Sequence, residues 1–182
     1  MSPTLPRGHD GLLCDLDGVV YAGGGAVPGA VETLTALVER GVPVGFVTNN
    51  ASRAPESVAE HLRSLGVPAR PEQVFGSAPA GVDLLEETLG ARTGRVLVVG
   101  SDYLRQVVRD RGFEVVAAAQ DRPDAVIQGF DPGVGWAELA QAAYAVNAGA
   151  AWVATNLDAS IPRAEGIAPG NGTLVAAVAA AS

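Results

Sequence analysis

The residue types best suited to chemistry stand at the end of the first apolar run of this 182-residue chain. Residues 12–21 are apolar apart from Asp15, Asp17 and the glycine that follows them. Side chains two positions apart on a strand share a face, so we predict that the two carboxylates point the same way, with α-carbons about 6.6 Å apart. Placing two like charges together is costly unless a cation or strong hydrogen bonds compensate. Asp15 and Asp17 therefore predict a site in which a cation or strong hydrogen bonds compensate two neighbouring carboxylates.

A second polar group follows the next apolar run, residues 42–47, and consists of Thr48 and the two asparagines after it. Between the two runs, residues 28–40 have the apolar spacing of a helix. A strand, a helix and a second strand predict a parallel βαβ unit, in which the carboxyl ends of both strands meet at one edge of the sheet. We therefore expect Thr48 to lie beside the carboxylate pair.

These residue types suit phosphoryl transfer through a covalent aspartyl phosphate. Asp15 is the candidate nucleophile, and Asp17 is the candidate acid that protonates the leaving alkoxide and later takes a proton from water. Thr48 and Asn49 can donate hydrogen bonds to the phosphoryl oxygens. Because carboxylate and phosphate repel each other, a divalent cation should bridge them, and Mg2+ prefers such oxygen ligands.

The elements that must position these residues form two predicted α/β units. The first contains the two strands above, a helix at 55–65 and a short strand at 73–75. Residues 76–79 look like a hinge, after which the pattern restarts and predicts a second unit inserted after the third strand of the first. Its predicted helices are 82–89, 102–111 and 136–147, and its predicted strands are 95–99, 113–117, 125–128 and 152–154. A polar loop then covers residues 154–173, and loops of that length are usually functional or disordered.

Composition excludes several functional classes. The net charge of −8 argues against general nucleic-acid binding. All twelve basic residues are arginine, which excludes a Walker A loop, a Schiff-base lysine and any lysine phosphate clamp within this sequence. The single cysteine, Cys14, cannot form an intrachain disulfide and is interpreted as a small buried residue. No apolar run is long enough for a membrane helix, so we expect no membrane association and a cytoplasmic protein.

The sequence resembles the haloacid dehalogenase (HAD) superfamily of phosphohydrolases. Its first motif, Asp-x-Asp-Gly-(Thr/Val), matches residues 15–19, and its second, a Thr or Ser at the end of the next strand, matches Thr48. Within the superfamily the chain looks most like the nitrophenylphosphatase-like branch, which includes phosphoglycolate, pyridoxal-phosphate and glycerol 3-phosphate phosphatases. That branch carries a Thr-Asn-x-Asp…Pro-Gly-x-Gly stretch, which matches residues 155–158 and 169–172.

The resemblance implies an α/β fold: a HAD-like Rossmannoid parallel sheet, here a partial core, with an inserted α/β cap domain. The implied division is residues 1–78 for the N-terminal part of the core, 79–172 for the cap and 173–182 for the return to the core. The implied activity is Mg-dependent hydrolysis of small phosphomonoesters such as glycerol 3-phosphate or phosphoglycolate. Members commonly dimerise through the cap, so a homodimer is a further expectation.

The resemblance also assigns roles to residues. Asp15 and Asp17 would be catalytic and would hold Mg2+, while Gly18, Thr48 and Asn49 would bind the phosphate. Candidate substrate contacts are Asn50, Arg53, Asn156 and Asp158. For the last two, hydrogen bonds to a turn backbone are the competing interpretation, and Arg53 could equally be a solvated surface residue. The glycine pair at 170 and 172 could open an anion site or simply start a helix.

The sequence departs from the family pattern in one large way. The third motif, a lysine that holds nucleophile and phosphate, and the fourth, an acidic pair that completes the magnesium site, should follow the final helix. Without the strands on the other side of the first strand, that strand would be an exposed edge. We therefore expect a fragment, a partial structure or a second chain that supplies the rest, and a weak or inactive enzyme as the sequence stands.

Two other functional classes remain as alternatives. A non-catalytic binding or scaffold fragment is favoured by the missing lysine and acidic pair. A phosphoacceptor signalling module also carries aspartates at strand ends, but it places its acceptor in mid-chain and uses a later lysine, which does not fit this sequence.

Overall fold

The computed structural model describes residues 9–163 and 165–182. The α-carbon contacts group the chain into two compact units. Of the described residues, the first unit contains those up to Thr48 together with Pro55–Phe75, and the second contains Asn49–Ala54 together with those from Gly76 to Ser182. This grouping differs from the sequence-based domains in three places, because residues 49–54, 76–78 and 173–182 fall in the second unit. The assignment of core and cap domains stays a prediction.

The first unit contains a three-stranded sheet, a hairpin and two helices. In chain order its elements are β1 (Leu12–Asp15), β2 (Tyr21–Ala22), β3 (Gly25–Ala26), α1 (Ala30–Glu39), β4 (Val44–Thr48), α2 (Pro55–Ser64) and β5, which begins at Val74 and ends at Gly76. The sheet order is β1-β4-β5, and β1 and β4 are parallel. The short antiparallel pair β2 and β3 is the hairpin that the glycine-rich stretch favours. The parallel strand, helix, strand arrangement predicted from the apolar pattern is confirmed.

One face of this sheet is covered and the other is not. Val44 and Phe46 of β4 point into a cluster that includes Leu34 of α1 and Leu62 of α2. On the opposite face Leu13, Val47 and Phe75 are 73%, 40% and 56% exposed. Among the described strands β1 has β4 as its single neighbour, so the predicted exposed edge is confirmed.

The second unit contains a four-stranded parallel sheet in the order β7-β6-β8-β9. In chain order its elements are α3 (Ser77–Leu89), β6 (Arg95–Val99), α4 (Asp102–Asp110), β7 (Glu114–Val116), β8 (Ala125–Gln128), α5 (Trp136–Asn147), β9 (Ala151–Ala154), β10 (Ser160–Arg163), β11 (Gly166–Pro169) and α6 (Asn171–Ala179). The predicted second α/β unit is therefore present, and the α/β fold class with parallel sheets is confirmed.

Alternate residues of β8 supply two separate hydrophobic clusters. Ala125 and Ile127 pack in a cluster with Leu85 of α3 and Leu104 of α4. Val126 packs in the other cluster, which includes residues of α5 and α6. A parallel strand covered on both faces needs apolar residues at every position, which explains why these strands appear in the sequence as continuous apolar runs.

The long segment predicted as a loop contains an antiparallel hairpin. Strands β10 and β11 pair in register from Ser160 opposite Pro169 to Arg163 opposite Gly166. The two prolines in these strands made the segment look irregular, but a two-stranded hairpin has edges on both sides that tolerate proline. Within the part of the chain that is described, no helix is both long enough and apolar enough to cross a membrane.

Candidate active site

The register between β1 and β4 determines which residues meet at the carboxyl edge of the first sheet. Asp15 is opposite Val47, so Thr48 lies one residue beyond the partner of Asp15. Thr48 is buried, at 4% exposure. The sequence prediction that these two strand ends are neighbours is confirmed. The roles of Asp15 and Thr48 in phosphate chemistry stay predictions.

The first strand ends at the first carboxylate, and the chain turns at residues 18–20, after the second one. Strand β1 ends at Asp15, whose Oδ1 accepts a hydrogen bond from the Leu16 N–H at 2.7 Å. The Leu16 carbonyl then accepts the N–H groups of residues 19 to 21, at distances between 2.9 and 3.2 Å. The assumption that one continuous strand carries both acids was therefore wrong. Leu16 is nevertheless fully buried, while Asp15 and Asp17 on either side of it are exposed. Both carboxylates are thus at the surface of the described chain.

Gly18 is required by the backbone of this turn. Its φ of +78° lies in the left-handed region, where side chains are disfavoured, and a Cβ there would meet no atom within 4 Å. The Gly18 N–H donates to the Tyr21 carbonyl at 2.8 Å. The left-handed backbone therefore explains why this residue is a glycine. Its N–H already donates a hydrogen bond within the turn.

The segment after Thr48 belongs to the second unit. Asn50 accepts hydrogen bonds at Oδ1 from the N–H and the hydroxyl of Ser52, at 2.7 and 2.8 Å, which forms a local turn. Ala51 is buried in the cluster with α3 and α4, and its carbonyl accepts the Ser101 hydroxyl at 3.2 Å. Arg53 is exposed. Substrate contacts by Asn50 and Arg53 stay predictions.

Three polar residues that are far from Asn49 in the sequence form hydrogen bonds with it. The Asn49 carbonyl accepts hydrogen bonds from Ser77 Oγ at 2.6 Å and from Asn156 Nδ2 at 3.0 Å. The Asn49 Nδ2 donates to Asp158 Oδ2. We call Asn49, Ser77, Asn156 and Asp158 the Asn49 cluster. It joins three residues that the sequence assigned to phosphate or substrate, and it adds Ser77, which sequence analysis missed because nothing local marks it.

The Pro-Gly-x-Gly stretch packs against the backbone that follows Asn156. A Cβ at Gly172 would lie 2.2 Å from the Leu157 carbonyl oxygen, and one at Gly170 would lie 2.3 Å from that of Asp158. The Gly172 N–H donates to the Asp158 carbonyl at 2.8 Å. These glycines are therefore explained by close backbone approach, and the N–H groups of Gly170 and Gly172 already have acceptors within the protein.

The carboxylates suit a hard divalent cation. Mg2+ takes oxygen ligands, commonly one or two carboxylates together with substrate phosphate and water. Asp15 and Asp17 supply such a pair, and the described residues contain no group of three or more His, Cys, Asp or Glu placed to hold a metal. Two carboxylates are chemically suited to magnesium, and its binding by Asp15 and Asp17 stays a prediction.

Cys14 adjoins the carboxylates but is suited to packing. Burial raises the pKa of its thiol, and the negative charge of Asp15 raises it further. A raised pKa keeps the thiol protonated near neutral pH, and the protonated form is a poor nucleophile. Cys14 is partly buried and packs against the cluster of the first unit, so the prediction of a small buried residue holds only in part.

Several known proteins are similar to this chain over nearly its whole length. A D-glycerol 3-phosphate phosphatase of Mycobacterium tuberculosis is 45% identical over 179 residues, which are 98% of this chain and 50% of the relative. The 5'-nucleotidase YutF of Bacillus subtilis is 36% identical over 91% of this chain and 63% of the relative. The crystal structure of the mycobacterial glycerol phosphate phosphatase in complex with magnesium has a TM-score of 0.88 and 46% identity, and the match covers 95% of this chain and 51% of that one. This chain therefore spans about half the length of the mycobacterial relative.

A family model gives the classification. The model described as haloacid dehalogenase-like hydrolase matches residues 12–114, which is more than half of the chain. The matched region begins at β1 and includes Asp15, Asp17 and Thr48. The resemblance predicted from the motifs is confirmed, and the chain belongs to the haloacid dehalogenase-like hydrolase family.

Proposed function

We propose that the protein is a magnesium-dependent phosphatase of small phosphomonoesters that works through an aspartyl phosphate at Asp15. The observation that carries this proposal is the register of β1 and β4, which sets the exposed carboxylate of Asp15 next to the end of the strand that carries Thr48. The activities in the names of the relatives, glycerol phosphate and nucleotide phosphatases, support the same reaction class.

The proposed reaction uses the two acids in different roles. A carboxylate oxygen of Asp15 attacks phosphorus, and the bond from phosphorus to the ester oxygen breaks. Asp17 gives its proton to the leaving alkoxide. Asp17 then takes a proton from the water that attacks the aspartyl phosphate, which releases inorganic phosphate and restores Asp15.

The phosphoryl group gains negative charge at its oxygens as the reaction proceeds. Thr48 supplies a hydroxyl donor at a fixed position, and fixed donors are worth more than mobile water because they need not reorient. Asp15 and Asp17 would hold magnesium, which would offset the repulsion between the carboxylates and the substrate phosphate. In this proposal Asn49 helps to bind the phosphate, and Asn50, Arg53, Asn156 and Asp158 are the candidate contacts for the rest of a small substrate.

A second candidate function is binding without turnover. It is supported by the sequence, which contains no lysine, and by the described residues, which offer no third acid to complete a metal site. In that case the chain would bind magnesium or phosphate and would hydrolyse nothing.

The test compares the 182-residue chain with the same chain fused to the remaining half of the Mycobacterium tuberculosis relative. We expect the fusion to hydrolyse para-nitrophenyl phosphate and glycerol 3-phosphate only when magnesium is present. Asp15→Asn should abolish turnover. Asp17→Asn should lower kcat by about 100- to 10,000-fold, the usual range for a general acid.

The matched control is Asp10→Asn, which removes the same charge from an exposed acid that precedes β1. It should leave kcat and KM unchanged. Turnover that survives in the Asp15→Asn fusion would end the proposal. A fusion that binds magnesium and phosphate without turnover would instead favour the binding function.

A further inference from the structure

The first residue of α6, Asn171, donates a hydrogen bond to the backbone of the segment that carries Asn156. Asn171 is almost completely buried, at 1% exposure. Its Nδ2 donates to the Asn156 carbonyl at 2.8 Å and lies 3.4 Å from the Gln128 carbonyl at the end of β8. One buried amide therefore connects the end of β8 to the segment that follows β9.

The side chain of Asn156 itself forms two hydrogen bonds. Its Oδ1 accepts the Asp158 N–H at 3.3 Å, and its Nδ2 donates to the Asn49 carbonyl at 3.0 Å. Asp158 in turn accepts the Asn49 side chain. Each link of the path from Asn171 through Asn156 to Asn49 is a hydrogen bond inside the second unit.

The residues on both sides of Asn171 cannot replace it. Gly170 and Gly172 lie so close to the backbone of residues 157–160 that neither has room for a side chain. Their N–H groups donate to the carbonyls of Ala159 and Asp158. Asn171 is thus the residue of the Pro-Gly-x-Gly stretch whose side chain reaches the Asn156 carbonyl.

We propose that Asn171 is a positioning residue, which orients Asn156 and, through it, Asn49. It touches no substrate and no reacting atom. Asn49 directly follows Thr48 in the chain, so a change in its orientation would alter the donors offered to the phosphate. That catalytic consequence rests on the proposed phosphatase function, while the positioning of Asn49 can be measured without any activity.

The competing explanation is that Asn171 only stabilises the start of α6. Both explanations predict some loss of stability when the amide is removed. They differ at Asn49, because a purely structural role would leave the environment of its side-chain amide unchanged.

The chain offers a control in Asn147, the last residue of α5, which bonds the backbone just beyond the C-terminal end of α6. Asn147 Nδ2 donates to the Ala181 carbonyl at 2.8 Å, which is the same type of bond from an exposed residue. Asn171→Asp and Asn147→Asp each replace a donating amide with a carboxylate of nearly the same size. The readout is the side-chain amide resonances of Asn49 and Asn156 in the 15N-labelled 182-residue chain.

We expect Asn171→Asp to shift or broaden the Asn49 and Asn156 amide resonances, and Asn147→Asp to leave both in place. If the carboxylate prevents folding, Asn171→Ser removes the same bond with a smaller, uncharged side chain and should produce the same shifts. Unchanged Asn49 resonances in a folded Asn171 variant would overturn the proposal, as would equal shifts in the Asn147 control.

Activity gives a second readout that separates this proposal from the proposed function. In the active fusion, Asn171→Asp should lower kcat/KM at least 10-fold, and Asn147→Asp should not. If the fusion is inactive with every residue in place, the phosphatase function fails while the resonance test of Asn171 still stands. If the fusion is active and Asn171→Asp leaves its kcat/KM unchanged, the positioning role is wrong.

Discussion

The glycines of the two sequence motifs are needed for different structural reasons. Gly18 is needed because the backbone after Asp17 enters the left-handed region. Gly172 is needed for a different reason, the approach of the Leu157 carbonyl. The same residue type in two motifs therefore serves conformation in one case and space in the other, and a substitution at each should fail for its own reason.

The spatial requirement at Gly172 leads to a residue-scale prediction. Gly172→Ala would place a methyl group 2.2 Å from the Leu157 oxygen, so the backbone must move. We expect a loss of about 1 to 3 kcal/mol in the free energy of unfolding, as for other overpacked sites. Urea unfolding followed by circular dichroism measures it.

The control is Gly24→Ala in the first unit, where a Cβ would meet no atom within 4 Å. It should change the unfolding free energy by less than about 0.5 kcal/mol. Equal effects of the two substitutions would contradict the packing explanation of Gly172.

At the scale of elements, β1 is one of the two edge strands of the first sheet, and β5 is the other. Strand β1 has β4 on one side and no described strand on the other, and Leu13 on its uncovered face is 73% exposed. Unpaired strand edges and exposed apolar faces favour association between chains. We expect the 182-residue chain to self-associate through this strand as its concentration rises.

Leu13→Lys tests that expectation, because a charged side chain on an edge strand opposes pairing. Sedimentation velocity should show less self-association, and the unfolding free energy should stay within about 0.5 kcal/mol because the site is exposed. Ile167→Lys is the control, since Ile167 of β11 is 76% exposed and also lies in a strand. An equal reduction of association by both variants would show that β1 has no special role.

The scale of the whole molecule separates what the sequence could predict from what it could not. The parallel sheets and the meeting of Asp15 with the end of β4 follow from apolar runs and the geometry of βαβ units, which are local signals. The end of β1 at Asp15 was missed because the residues that follow it include apolar ones, such as Leu16, Val19 and Val20, that look like more strand. The contact between Asn49 and Asp158 joins residues 109 positions apart, and no local pattern encodes it.

The central claim is that Asp15 and Asp17 form a cation site beside Thr48, and paramagnetic broadening tests it most directly. Mn2+ is added to the 15N-labelled 182-residue chain as a probe for the magnesium position, and amide resonances are followed during the titration. We predict that resonances of residues 15–18 and 48 broaden first, that excess Mg2+ reverses the broadening, and that Asp15→Asn with Asp17→Asn abolishes it. Broadening that begins at other acids, or that persists in the double variant, would contradict the account.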